Sequence, residues 1–122
     1  MMKTKLRKSD QLFRQYVLKV YSDTCARCRK EYPSDNCRGL HVSHYWGRGR
    51  ENTRQDIENA CLLCYGCHLR WGHGDQREQY TAYMRNRLGD KGYDLLELRA
   101  NTYKKRDDKL DEIIIKQLLK EV

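Results

Sequence analysis

Two cysteine pairs, Cys25-Ala26-Arg27-Cys28 and Cys64-Tyr65-Gly66-Cys67, constrain this chain more than any other feature of its sequence. Two intervening residues let both thiolates of a pair reach one tetrahedral ion from a single turn, at Zn–S distances of about 2.3 Å. Together Cys25, Cys28, Cys64 and Cys67 supply a complete four-sulfur shell. The 35 residues between the pairs exceed what a simple zinc ribbon encloses, so a structural Zn2+ here would enclose a whole strand–loop–strand insert. Fortuitously spaced thiols are the alternative. Cys37 and Cys61 lie outside the pattern and read as free, Cys37 in a loop and Cys61 packed inside.

Such a staple matters for a chain of 122 residues with a mean hydropathy of −1.01 and 34% charged residues. A domain this small buries only a modest core, and a metal crosslink compensates for that. Six cysteines would also suit a secreted disulfide scaffold, but no export signal or membrane span is recognisable and the basic start Met1–Lys8 has no apolar run. The expectation is therefore a cytoplasmic protein with no membrane partner, its paired cysteines holding metal. A net charge of +8 attracts polyanions, nucleic acid foremost, although a solubilising surface would carry the same charge.

The pattern of apolar residues predicts an α+β chain. Residues 1–8 form a basic arm, and Ser9 can cap a helix with Leu12, Phe13, Tyr16, Val17 and Val20 on its apolar face. Residues 23–28 read as a knuckle turn and 29–39 as loop. Leu40–Trp46 is a short strand, Gly47–Asn52 a flexible basic loop, and a second strand lies around Asn59–Leu62. A helix opens near Cys64 and is broken at Gly72-His73-Gly74. Helices follow over 75–88, with Gly89 as its cap, over 92–100, and over 107–122. Residues 9–74 thus make the core with its N-terminal helix, and 75–122 a helical extension of the same domain. In the last helix Leu110, Ile113, Ile114, Ile115 and Leu118 form core or the surface of a homodimer.

An ion closed by four thiolates cannot activate water, so any chemistry must come from elsewhere. The enclosed segment carries, in order, His44, Asn59 and His68, the last directly after a zinc cysteine. The stretches Cys25-x2-Cys28, Ser43-His44-Tyr45 and Asn59-Ala60-Cys61-Leu62-Leu63-Cys64-x2-Cys67-His68 resemble the HNH (ββα-metal) endonuclease family. His44-Tyr45-Trp46-Gly47-Arg48-Gly49 followed by Thr53–Asn59 is similar, more narrowly, to phage-encoded HNH proteins of the NinG recombination type. The resemblance covers about residues 25–73 and fades over the helical tail.

The resemblance implies a zinc-stapled ββα-metal core with flanking helices. The activity implied is metal-dependent hydrolysis of DNA phosphodiester bonds, in a bacterial host cell if the chain is phage-encoded. His44 would take water's proton. His68 would ligate a catalytic Mg2+ or Mn2+, and Asn59 would either coordinate that ion or brace the loop between the strands. Arg48, Arg50 and Arg54 are placed to hold phosphates. Where many relatives have a metal ligand just before the base, this chain has Ser43, a weak neutral donor. His41 and His73 are substitutes, and Asp56 a more remote one. The competing reading is a non-catalytic zinc module that binds nucleic acid through charge. A protein-interaction module built on the last helix is a third.

Overall fold

The computed structural model describes residues 5–32 and 39–122, with only the backbone of His73 included. Cys37 lies outside these residues, as does the side chain of His73. The order is α1 (Lys8–Val20), β1 (Leu40–His44), a 3-10 turn (Ile57–Asn59), β2 (Ala60–Cys64), α2 (Tyr65–His68) running into a π turn (Leu69–His73), α3 (Arg77–Ala100) and α4 (Asp108–Lys120). The fold is α+β, with a small sheet of two strands.

Helix α1 starts before the serine expected to cap it. Arg7 holds the extended cap position, and its N–H donates to the Asp10 carboxylate at 2.9 Å. Ser9 is instead buried one turn inside, where its hydroxyl accepts from the Gln55 amide. The arm is anchored from Lys5 onward. The Lys5 carbonyl accepts from Arg54, and Arg7 pairs with Glu51.

Strands β1 and β2 pair antiparallel in the register Leu40↔Cys64 to His44↔Ala60. Ala60, Cys61, Leu62 and Leu63 are all buried, which is why β2 reads as a continuous apolar run rather than an alternating one. Phe13 and Val17 of α1 join the strand residues in the core, together with Trp71, Tyr80, Met84, Leu96 and Ile115. Trp71 stacks on Tyr80 at 4.9 Å, and Tyr45 meets Tyr80 edge-on at 5.1 Å. Aromatic area thus replaces much of the aliphatic bulk that this polar chain lacks.

The expected break at Gly89 is present. Its φ of 75° interrupts α3 and leaves two helical segments, a conformation that glycine adopts without the Cβ penalty. Helix α4 then returns to pack on α1, burying Ile115, while Leu110, Ile113 and Ile114 face outward. Among the described residues, no helix is long and apolar enough to cross a membrane.

Candidate functional site

The four cysteines converge. The sulfur atoms of Cys25, Cys28, Cys64 and Cys67 all lie within 4.8 Å of one another, a group that could hold a metal ion. The first pair sits in a knuckle that Arg29 closes at a φ of 67°, with the Arg29 N–H donating to the Cys25 carbonyl at 2.9 Å. The second pair spans the end of β2 and the first turn of α2, and the Cys64 N–H donates to the Cys25 sulfur at 3.4 Å.

The acidities are uneven. Burial raises the Cys25 thiol, but N–H groups of Cys28, Cys64 and Arg27 outweigh it and bring it down to about 7. Cys67 is pushed up to about 12, by burial first and then by its sulfur neighbours, although Arg27 donates to it at 3.5 Å. A bound cation would gather all four as thiolates, offsetting the repulsion between their sulfurs. That donor set fits Zn2+. Cys61 is separate, fully buried beside the Tyr80 hydroxyl, and burial pushes its thiol up to about 11. It is a core residue.

A cleft of about 990 Å3 opens between α1 and β1 and reaches α2 and the start of α3. His41, His44, His68, Arg48 and Arg77 all line it. The His44 ring lies 6.0 Å from that of Phe13, and its Nε2 meets the Arg54 carbonyl oxygen at 2.9 Å. A carbonyl only accepts, so Nε2 carries the proton and Nδ1 keeps its lone pair. Burial lowers the His44 pKa to about 4, which the Arg54 carbonyl only partly offsets. The imidazole is accordingly neutral at physiological pH. His68, at the end of α2, has its ring 5.3 Å from that of His41. A Cβ at position 72 would come within 2.8 Å of His68 Cδ2, so Gly72 makes room for this ring, while the turn runs on to its cap at Gly74.

The other expected site residues divide. Asn59 is fully buried, with Oδ1 accepting from the Trp46 N–H at 2.8 Å and Nδ2 donating to the carbonyls of Trp46 and Thr53 at 2.9 and 3.0 Å. Of the two roles expected for it, bracing the loop is the one its contacts match, and Asn59 does not line the cleft. Arg54, expected to hold phosphate, is placed away from the cleft lining. Only 2% exposed, it makes a two-pronged pair with Asp10 at 3.0 and 2.6 Å and donates to the carbonyls of Arg48 and Lys5. Arg50 lies outside the cleft, bonded to Asn101 at 2.6 Å and stacked over Trp46. Ser43 borders the cleft but is buried, its hydroxyl 2.9 Å from that of Tyr80, which ties β1 to α3. Asp56 caps Glu58 and pairs with Arg99, away from the cleft. Arg48 alone of the three expected arginines lines it.

Sequence reasoning overlooked Arg77. Its guanidinium lies 3.9 Å from the Tyr45 ring centre and donates to the Tyr45 carbonyl at 2.7 Å, fixing a cation at the cleft edge. The signal was tertiary: nothing near position 77 announces that α3 begins at this cleft. Arg54 was a positioning residue in disguise. Its carbonyl sets the His44 tautomer, and its guanidinium locks that carbonyl to α1 through Asp10.

Comparison with known proteins finds relatives over part of the chain. Across 56 residues the chain is 38% identical to Putative HNH nuclease YajD of Escherichia coli (strain K12), covering 46% of this chain and 48% of the relative. The same-named protein of Shigella flexneri gives the same identity and coverage, and that of Salmonella typhimurium (strain LT2) is 36% identical over the same span. The chain thus spans about half the length of the curated relatives it matches. No protein-family model matches it. No solved structure matches it either. The relatives' shared name and the four-cysteine cluster together support an HNH-type family for this chain.

Proposed function

We propose that the protein is a metal-dependent endonuclease that hydrolyses DNA phosphodiester bonds, with its four cysteines holding a structural Zn2+. One observation carries the reading: His44 sits in a basic cleft with Nε2 committed to the Arg54 carbonyl, leaving Nδ1 as an acceptor. A general base needs such an acceptor, held in one tautomer beside the phosphate it serves. The NinG-type pattern of its His44–Asn59 segment favours a phage origin.

In this mechanism Arg48 and Arg77 bind the scissile phosphate and His44 Nδ1 takes a proton from the attacking water. A base of pKa about 4 is weak. An anionic phosphate beside it stabilises the imidazolium and moves the pKa toward neutrality. The Arg54–Asp10 pair and the Asn59 brace keep the Arg54 carbonyl where it fixes the tautomer. A catalytic divalent ion would be held by His68, with the His41 ring 5.3 Å away as a second donor, and when bound would offset phosphate charge and stabilise the leaving oxygen. Two imidazoles fit a transition ion better than Mg2+, which prefers oxygen donors.

The test is plasmid nicking by the purified chain with Mg2+, Mn2+ or Ni2+. The expected result is nicking that is strongest with a transition ion, leaving 5′-phosphate and 3′-hydroxyl ends. A protein inert with every ion that still binds DNA with steep salt dependence would be the non-catalytic zinc module instead.

A further inference from the structure

The cleft is larger than hydrolysis of a phosphate requires, and its two ends differ in chemistry. Its volume of about 990 Å3 lies at the top of the range of small-molecule sites, roughly 300–1,000 Å3. The histidines, Arg48 and Arg77 account for one part. The remainder is walled by α1 and β1. Gln11, Arg14, Gln15 and Leu18 recur at helical spacing along one face of α1, opposite Leu40 and Val42 of β1. Leu18 and Val42 are half-buried and Leu40 is buried, so the floor is apolar. Arg14 is held in place by donating to the Leu40 carbonyl at 2.9 Å. Gln11 and Gln15 are exposed above that floor, and their side-chain amides bond to no other described residue.

An apolar floor rimmed by two free amides and a guanidinium, continuous with a phosphate-binding end, matches one ligand chemistry. A nucleobase has a flat apolar face and an edge of hydrogen-bond donors and acceptors, and it is joined to a phosphate. Inside a duplex that face is covered by stacking. We propose that the α1–β1 end of the cleft is a subsite for one unstacked nucleobase, so that the substrate is DNA with a single-stranded nucleotide beside the scissile phosphate. The charge of the adjoining end selects a polyanion over an apolar peptide. This inference rests on the nuclease reading and narrows its substrate class.

The test separates the two. Binding of the full chain is measured by fluorescence anisotropy, without divalent ion, to three probes of equal phosphate number. These are a single-stranded oligodeoxynucleotide, the same strand with abasic tetrahydrofuran residues, and a duplex. Backbone charge is matched between the two single strands, so the difference between them reports the bases. The expected result is that the base-bearing strand binds about tenfold more tightly than the abasic strand, the scale of one stacked base, and more tightly than the duplex. Leu18→Ser should bring the strand-to-abasic ratio toward one while leaving abasic affinity unchanged. The exposed pair Gln11→Ala with Gln15→Ala, which leaves the core untouched, should lower the same ratio. Equal binding of base-bearing and abasic strands overturns the subsite while leaving the nuclease reading standing, and so does a duplex that binds best. Failure to bind any of the three overturns both.

Discussion

Cys67 and His68 are consecutive in α2, yet they belong to regions with opposite chemistry. At the cysteine cluster, four identical donors surround one point and backbone N–H groups steady the first of them. In the cleft, His41 and His68 approach each other, but among the described residues no third histidine, cysteine or carboxylate completes a group with them. Among the described residues the cluster brings four donors to one point and the cleft two. Closure suits folding, since a saturated ion has no position left for water. Openness suits chemistry, since substrate and water can fill the shell. The turn of α2 joins them, so an ion that organises the knuckle also aims His68.

The largest expected effect lies on the closed side. Cys64→Ser should unfold the chain, because a structural Zn2+ contributes on the order of 10–16 kcal/mol of binding energy, comparable with the whole stability of a small domain. Circular dichroism with zinc analysis reads this, and a folded, zinc-free variant would break the comparison. Next come the two arginines that look alike in sequence. Arg54→Ala leaves buried Asp10 unpaired and should cost about 3–5 kcal/mol in urea unfolding. Arg48→Ala should change stability by no more than about 0.5 kcal/mol and instead reduce the salt slope of DNA binding by about one. Equal losses of stability would erase the distinction drawn between them.

Asn59→Ala sharpens the comparison from within the loop. It strands the Trp46 N–H and two carbonyls, at a cost of about 3 kcal/mol. A drop in thermal stability with little change in divalent-ion affinity is expected; the opposite pattern would restore Asn59 as a ligand. A smaller loss than that of Asn59→Ala is expected in acid. Burial raises the Asp10 pKa, but hydrogen bonds from Arg54, the Arg7 N–H and Gln55 outweigh it and hold the carboxyl at about 2 against an ordinary 3.8. Because the folded value is the lower one, the stabilisation is complete above the unfolded pKa and is lost as pH falls from there through about 2. It amounts to about 2 kcal/mol. Urea titrations of wild type and Asp10→Asn should therefore converge in strong acid and diverge by that amount near neutrality.

Much of the fold, and part of the site, is legible in the sequence itself. The cysteine spacing announces the knuckles because the relevant geometry is local, two residues wide. The strand at Leu40–His44, the break at Gly89 and the amphipathic last helix are likewise written in short-range periodicity. Misplaced residues are those whose partners are distant in sequence. Arg54 and Asp10 are 44 residues apart, Ser43 and Tyr80 37, and Tyr45 and Arg77 32. An arginine in a basic loop looks the same on paper whether it faces phosphate or a buried carboxylate. Asn59 is the instructive case, since both its roles fit the motif and only the direction of its amide separates them.

The central claim is that the sulfur cluster folds the protein and His44 does the cutting. It is tested most directly by measuring zinc content and plasmid nicking on one preparation of His44→Ala. The expected result is about one zinc per chain, a melting temperature near that of wild type, and nicking reduced by roughly 10²–10⁴-fold. Nicking at the wild-type rate, or loss of zinc together with activity, would contradict it.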